Sequence, residues 1–346
     1  EQAVAGCDPD APAVIVLSSG TRGVPHGVIH SQRSLAANAI AAAGVFLDDP
    51  RDVRLSWLPL SHSLALTGDL GTALVRGACL NVVRDRRRLL DACRGLPPTV
   101  ILGVPAFFET LERGATNGRI ADLAAAVGGA VRVCISGGAP LRRRTVEFFT
   151  ARGLPLVDGY GLAEAGPVVA LANPRIARVG TVGPPLPGIA VRIDDRPVTG
   201  RLGDTLVLAS GVKLPPAAVE AVLAEDAAVA QVCVVDSGST RPVAIVVPDP
   251  GVLRGAIRRM RLVVASRRQA VTHPKVVRWL SRRLARRQAT LPRSWRVRDL
   301  VIMDRPFEAA RGETTASLKP RRGVIADHQR ERIRAAVEEG DARRSP

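Results

Sequence analysis

Apolar runs rich in Val and Ile, each followed by a Gly or Ser turn, recur in the first half of the chain at residues 13–17, 99–102, 131–135 and 154–157. Between them lie alanine-rich or amphipathic stretches at 34–46, 105–113 and 141–152, which predict helices. Strands alternating with helices predict an α/β unit, a mostly parallel sheet with helices on both faces. Ligands then belong in the loops beyond the carboxyl ends of the strands. The character changes after Asn173: residues 173–195 are rich in Gly and Pro and predict a small β region of short strands and turns, and 197–204 predict a connector. A helix at 216–223 and strands at 229–235 and 243–247 follow, which predicts a second, smaller α+β domain. The expected division is 1–199 and 200–346. Residues 327–346 are charged and predict a helix that frays into a tail.

A length of 346 residues, with 46% hydrophobic and 23% charged, suits roughly two or three globular domains and excludes a disordered or fibrous chain. The net charge of +17 changes the picture only locally. Residues 252–298 hold fifteen of the 49 Arg and Lys and no Asp or Glu, leaving 34 basic against 32 acidic residues elsewhere. Within them Val277, Leu280 and Leu284 lie at helical spacing, with Arg282, Arg283, Arg286 and Arg287 around them. That pattern predicts an amphipathic helix with a cationic face. Trp279 and Trp295 are the only aromatics nearby and no stacking platform is visible, so nucleic acid is not an expected partner.

The basic residues include only three lysines, Lys213, Lys275 and Lys319, and Tyr160 is the sole tyrosine. A lysine in this background draws attention because arginine does not replace a compact, flexible point charge. Cys7, Cys79, Cys93, Cys134 and Cys233 are odd in number, mostly in apolar runs, and form no C-x-x-C pair; they read as buried free thiols of a reducing, cytoplasmic compartment. The uncharged stretch 34–47, bounded by Arg33 and Asp48, is too short to span a bilayer, and with no basic stretch leading into an apolar one among the first residues, secretion is not expected.

The strongest local signal is Ser18-Ser19-Gly20-Thr21-Arg22-Gly23-Val24-Pro25-His26-Gly27, after a predicted strand and before a predicted helix. Glycines there let several backbone N–H groups turn toward one anion, and the hydroxyls add donors, so the loop suits a polyphosphate. A plain Gly/Ser turn has the same composition. Farther on, Asp158-Gly159-Tyr160-Gly161-Leu162-Ala163-Glu164 follows another predicted strand. It offers a ring face to a base and a carboxylate to Mg2+.

The first loop resembles the T-S-G-T-T-G-x-P-K-G signature of the acyl-adenylate-forming superfamily, which includes acyl-CoA synthetases, fatty acyl-AMP ligases, luciferases and peptide-synthetase adenylation domains. Further likenesses follow in the family's order. His30-Ser31-Gln32-Arg33-Ser34-Leu35 resembles H-x-x-R-x-L, Leu58-Pro59-Leu60-Ser61-His62-Ser63 the L-P-L-F-H element, and Gly103-Val104-Pro105 the G-V-P that opens the next helix. Ser136-Gly137-Gly138-Ala139-Pro140-Leu141 resembles the turn that packs along adenine, and residues 158–164 resemble G-Y-G-x-T-E. Gly200-Arg201-Leu202-Gly203-Asp204 is similar to the G-R-x-K-D hinge, residues 208–216 with Val219-Glu220 to the segment lining the thiol tunnel, and Gly312-Glu313-Thr314-Thr315-Ala316-Ser317-Leu318-Lys319-Pro320-Arg321-Arg322 to the G-E-L-T-P-T-L-K-x-R-R of long-chain acyl-CoA synthetases.

The resemblance implies an adenylate-forming N-terminal domain, N-terminally truncated, and a mobile C-terminal domain carrying the catalytic lysine. It implies ATP-dependent activation of a carboxylic acid, a fatty acid in the long-chain subfamily, to acyl-AMP and transfer to CoA or a carrier phosphopantetheine. Ser18, Ser19, Gly20, Thr21, Arg22 and Gly23 would hold the phosphates. Gly137, Gly138, Ala139, Pro140, Asp158, Gly159, Tyr160 and Gly161 would hold adenine, with Arg201 near ribose and Gly211 at the thiol tunnel. His62 would line the acyl pocket, Glu164 would bind Mg2+, and Lys319 would stabilise the transition state. The cationic helix would then be a solvated face or would meet the phosphates of CoA, an acyl carrier protein or an anionic membrane surface. Arg22, His26, Ala163 and Gly203 depart from the family pattern, and the ribose-binding T-G-D has no counterpart between Asp195 and Gly200. The alternative is therefore a non-catalytic or impaired homologue serving as a nucleotide-binding scaffold or partner subunit.

Overall fold

The computed structural model describes residues 8–18, 26–46, 49–192, 205–315 and 318–342. The chain divides into two units, Glu1–Ile193 and Asp194–Pro346. In the first, β1 (Pro12–Ser18) pairs with β2 (His26–Ser31) as an antiparallel two-stranded ribbon, and α1 (Gln32–Phe46) follows directly. The run at 13–17 is thus a strand but not a member of the parallel sheet. Seven residues separate β1 from β2, too few for the crossover of a dozen or more that parallel neighbours require.

The main sheet contains β3 (Val53–Ser56), β4 (Cys79–Val82), β5 (Val100–Gly103), β6 (Val133–Gly137), β7 (Leu156–Gly161) and β8 (Val168–Leu171), in the order β4-β3-β5-β6-β7-β8. All neighbours are parallel except β7 and β8. Side chains alternate across it. Leu102 packs with Ala42 and Phe46 of α1, whereas a Cβ at Gly103 would touch Phe107 and Phe108 of α2 (Pro105–Thr116) on the other face. Phe108 meets Phe149 of α3 (Arg143–Thr150) edge-on at 5.6 Å. Pattern reading passes over β3 because its centre is Arg54. That side chain is fully buried, stacks at 5.6 Å on Phe46, donates to the Gly68 carbonyl and lies 3.7 Å from the equally buried Asp69.

Residues 173–192 form turns and one bridge, Ala170 to Pro185, where short strands were expected. Prolines at 174, 184, 185 and 187 remove the amides a ladder would use.

The second unit begins, among the described residues, with β9 (Leu206–Val207) paired to β10 (Lys213–Leu214), then α4 (Pro216–Ala224). Its sheet joins β11 (Val229–Val235) antiparallel to β12 (Val243–Pro248), and β12 parallel to β13 (Asp299–Ile302). Between the last two strands run α5 (Pro250–Arg259) and α6 (Pro274–Arg287). The cationic helix is present, with its buried stripe on Val276, Leu280 and Leu284; Val277 is half-buried. The tail holds α7 (Arg322–His328) and α8 (Arg330–Ala342). Among the described cysteines, Cys93, Cys134 and Cys233 are buried, the last two with thiols pushed by burial up to about 12. Cys79 is exposed, contrary to expectation, because β4 is the sheet edge. No helix among the described residues is long and apolar enough to cross a membrane.

Candidate active site

Two motif segments meet at the carboxyl ends of the central strands, and β2, which follows the third, lies against one of them. Ser18 pairs with His26, so the two ends of segment 19–25 are held one strand apart. Ser19, Gly20, Thr21, Arg22 and Gly23 themselves lie outside the described residues, as does Arg201. From this loop β2 runs against the turn at Ala163–Ala165, which carries the exposed Glu164. One residue of the next helix fastens α1 to the start of β8. Asn38, a polar position in the alanine-rich α1, donates from Nδ2 to the Val168 carbonyl at 2.8 Å and accepts the Val168 amide at 3.0 Å. Its only sequence signal was polarity on an apolar face.

The neighbouring strand ends form the second wall. Register sets Ser136 beside Asp158 and Gly137 beside Gly159. Gly137 is buried, and the chain leaves β6 through the exposed Gly138, Ala139 and Pro140. Tyr160, at the end of β7, is 42% exposed. Gly161 beside it must be glycine, because a Cβ there would sit 2.1 Å from the Pro167 carbonyl oxygen. Against Gly137 packs Leu64, whose amide donates at 3.2 Å to Nδ1 of His62. His62 thus caps the short helical turn Ser63–Ala65 after β3.

Asp158 supplies the electrostatic feature. Its Oδ1 is buried and has no hydrogen-bond partner among the described residues. Burial pushes its carboxyl up to about 7, opposed by the Leu141 and Gly159 amides. A carboxyl whose folded value is raised costs stability as pH rises: the cost is absent below about pH 4 and complete above about 7. Asp158→Asn is therefore expected to melt higher than the parent at pH 8, by at most about 4 kcal/mol, with a smaller gap at pH 5. Thermal melts at the two pH values check this; a gap that does not widen with pH would refute it.

A separate open cleft of about 650 Å3, lined by Asp52, Thr99 and Arg132 among others, lies at the amino ends of the strands and is occupied by their ion pairs. It is not the candidate site. Glu164 is a lone carboxylate, and no described group of three His, Cys, Asp or Glu forms a metal cage. Such a donor fits a Mg2+ delivered by a polyphosphate, which needs one or two protein carboxylates, better than a resident ion. The other expected residues, Gly211 at the exposed β9–β10 turn and Lys319 on a half-buried loop, belong to the second unit.

Residues 1–207 match the family model described as AMP-binding enzyme, and residues 203–296 match that described as AMP-binding enzyme C-terminal domain. The chain is 25% identical over 409 aligned positions to long-chain-fatty-acid–CoA ligase FadD15 of Mycobacterium tuberculosis, covering 91% of this chain and 68% of that protein. It is 31% identical over 214 positions to anthranilate–CoA ligase of Pseudomonas aeruginosa, covering 59% of this chain and 40% of that enzyme. In fold it resembles the anthranilate CoA ligase AuaEII in complex with anthranoyl-AMP, with a TM-score of 0.70, 17% identity, and 92% and 68% of the two chains covered. It also resembles ATP-bound MatB from Rhodopseudomonas palustris, with a TM-score of 0.66, 19% identity, and 94% and 70% covered.

Proposed function

This chain belongs to the AMP-binding enzyme family, and from that premise we propose that it activates a carboxylic acid, a fatty acid by preference, as acyl-AMP and passes the acyl group to the thiol of CoA. The observation that carries the reading is the exposed ring of Tyr160 beside the unpartnered Asp158 oxygen, at the strand ends where Gly138, Ala139 and Pro140 leave an open turn. A purine needs both a flat apolar face and an acceptor for its amine. The long alignment to a fatty-acid–CoA ligase supports the substrate class and the acceptor.

The acid's carboxylate oxygen attacks the α-phosphorus of ATP, the bond to the bridging oxygen breaks, and pyrophosphate leaves. The thiol then attacks the acyl carbonyl and AMP departs. Residues 18–23 hold the phosphates by backbone amides and hydroxyls, Tyr160 stacks on adenine and Asp158 accepts its amine. Lys319 places an ammonium at the charge that builds between nucleophile and phosphorus. Glu164 is the residue that would hold Mg2+, which when bound neutralises phosphate charge.

Pyrophosphate exchange into ATP, run over aliphatic and aromatic acids, tests the reading. Exchange is expected to be fastest with long aliphatic acids. Fastest exchange with an aromatic acid would transfer the preference to the anthranilate-like class. AMP binding without exchange by any acid would favour the non-catalytic scaffold.

A further inference from the structure

Residues 313–315 and 318–321, the two arms of the hairpin that bears Lys319, are held to each other by backbone contacts. Thr314 bridges Pro320, the Thr315 amide donates to the Lys319 carbonyl at 2.9 Å, and the Lys319 amide donates to Thr315 Oγ1 at 3.1 Å. Leu318 sits at φ +62°, a left-handed conformation that a side-chain-bearing residue keeps only where its surroundings impose it. At the base, the Arg321 amide donates to the Glu313 carbonyl at 2.8 Å.

Glu313 ties this base to two other segments. Its side chain is 1% exposed. Oε1 accepts from Arg305 Nη2 at 2.6 Å and lies 3.1 Å from His328 Nδ1, while Oε2 accepts from Arg305 Nη1 at 2.6 Å and from the Glu308 amide at 3.1 Å. The Arg305 fork is the largest of the causes that hold its carboxyl down at about 2, so it is ionised at any working pH. Charged, bidentate hydrogen bonds of this kind are the stronger and more directional ones. On the far side, Arg322 pairs with Glu220 of α4 and donates to the Val234 carbonyl of β11. The sheet and helix beneath are packed independently, by Val235, Ile245, Met303, Phe307 and Ile325. The acid therefore adds to the hairpin a constraint that the apolar core does not supply.

Resting on the reading of Lys319 above, we propose that Glu313 is a positioning residue for the reaction: with Arg305 and His328 it fixes the base of the Lys319 hairpin, and so the lysine backbone, before substrate arrives. Lysine has four rotatable bonds, and an ammonium that is to meet one developing charge gains from a backbone already in place.

Glu313→Gln keeps the shape but presents an amide to the Arg305 donors. Two measurements on the full chain test the proposal. In single-turnover acyl-AMP formation, Glu313→Gln is expected to lower the rate constant about ten- to a hundredfold with KM for ATP and acid within about threefold, and to add less than about threefold in a Lys319→Ala background, because the two act as one unit. A nitroxide on Lys319→Cys in a background with Cys7→Ser and Cys79→Ser, which reads the hairpin without any turnover, is expected to become more mobile when Glu313→Gln is added. Should Glu313→Gln unfold the second unit, His328→Ala, which removes one contact from the exposed side, is expected to loosen the label and slow the chemistry about two- to fivefold. An unchanged label in a folded variant, or full additivity with Lys319→Ala, overturns the proposal. Absence of acyl-AMP formation by the parent protein with every acid would instead sink the functional reading, and the label would still judge the clamp.

Discussion

Lys319→Ala is expected to reduce acyl-AMP formation by about a hundredfold to a thousandfold, the range seen when one preorganised electrostatic donor is removed from a transition state. The reaction concentrates negative charge between a carboxylate oxygen and phosphorus, and an ammonium placed there binds the transition state more tightly than the ground state. KM for ATP should change little, since the residues proposed to bind phosphate and adenine are in the first unit. Lys319→Arg should recover only part of the rate, because a planar fork does not present its charge as a compact point. Pyrophosphate exchange together with calorimetric AMP binding measures both quantities. Unchanged exchange in Lys319→Ala would exclude the role; loss of AMP binding in parallel would mean that the residue supports structure.

The second large effect concerns the support of the first unit. Asp69→Ala is expected to destabilise that unit by about 3–5 kcal/mol, because it strips a carboxylate from beside a guanidinium that has no access to water. Arg54 and Asp69 are both 0% exposed. Arg54 keeps the Gly68 carbonyl and the Phe46 face, yet a monodentate carbonyl and a ring do not replace a charge. Replacing both residues by apolar side chains of similar volume should cost less than the single change. Denaturant melts of the single and double variants decide this, and a loss under about 1 kcal/mol in Asp69→Ala would show that water reaches Arg54.

Much of the candidate site was legible because its chemistry is local in sequence. The loop at 18–27, the turns after β6 and β7, and Lys319, one of three lysines, each announce themselves by glycines, hydroxyls or a rare residue type within a few positions. Element boundaries fared similarly where apolar runs were uninterrupted, as at β11 and β12. The failures share a cause. β3 was missed because a buried arginine breaks its pattern, and β1 was misassigned because pairing partners are not written in a strand's own composition. The stripe on α6 runs through Val276 instead of Val277, since several apolar positions compete and packing chooses among them.

Residue order therefore established the family resemblance and the alternation of strands and helices, and it supplied the candidate side chains for phosphate, base and metal. It did so because motif turns and hydrophobic periodicity depend on neighbours a few residues away. Packing decided the rest. That Asp158 holds its proton to about pH 7, that Asn38 fastens a helix to a strand 130 residues on, and that Glu313 is ionised under a buried fork all arise from desolvation and hydrogen bonds to atoms remote in the chain. A side chain's charge state and its freedom are set by what surrounds it in space, and only folding brings those surroundings together.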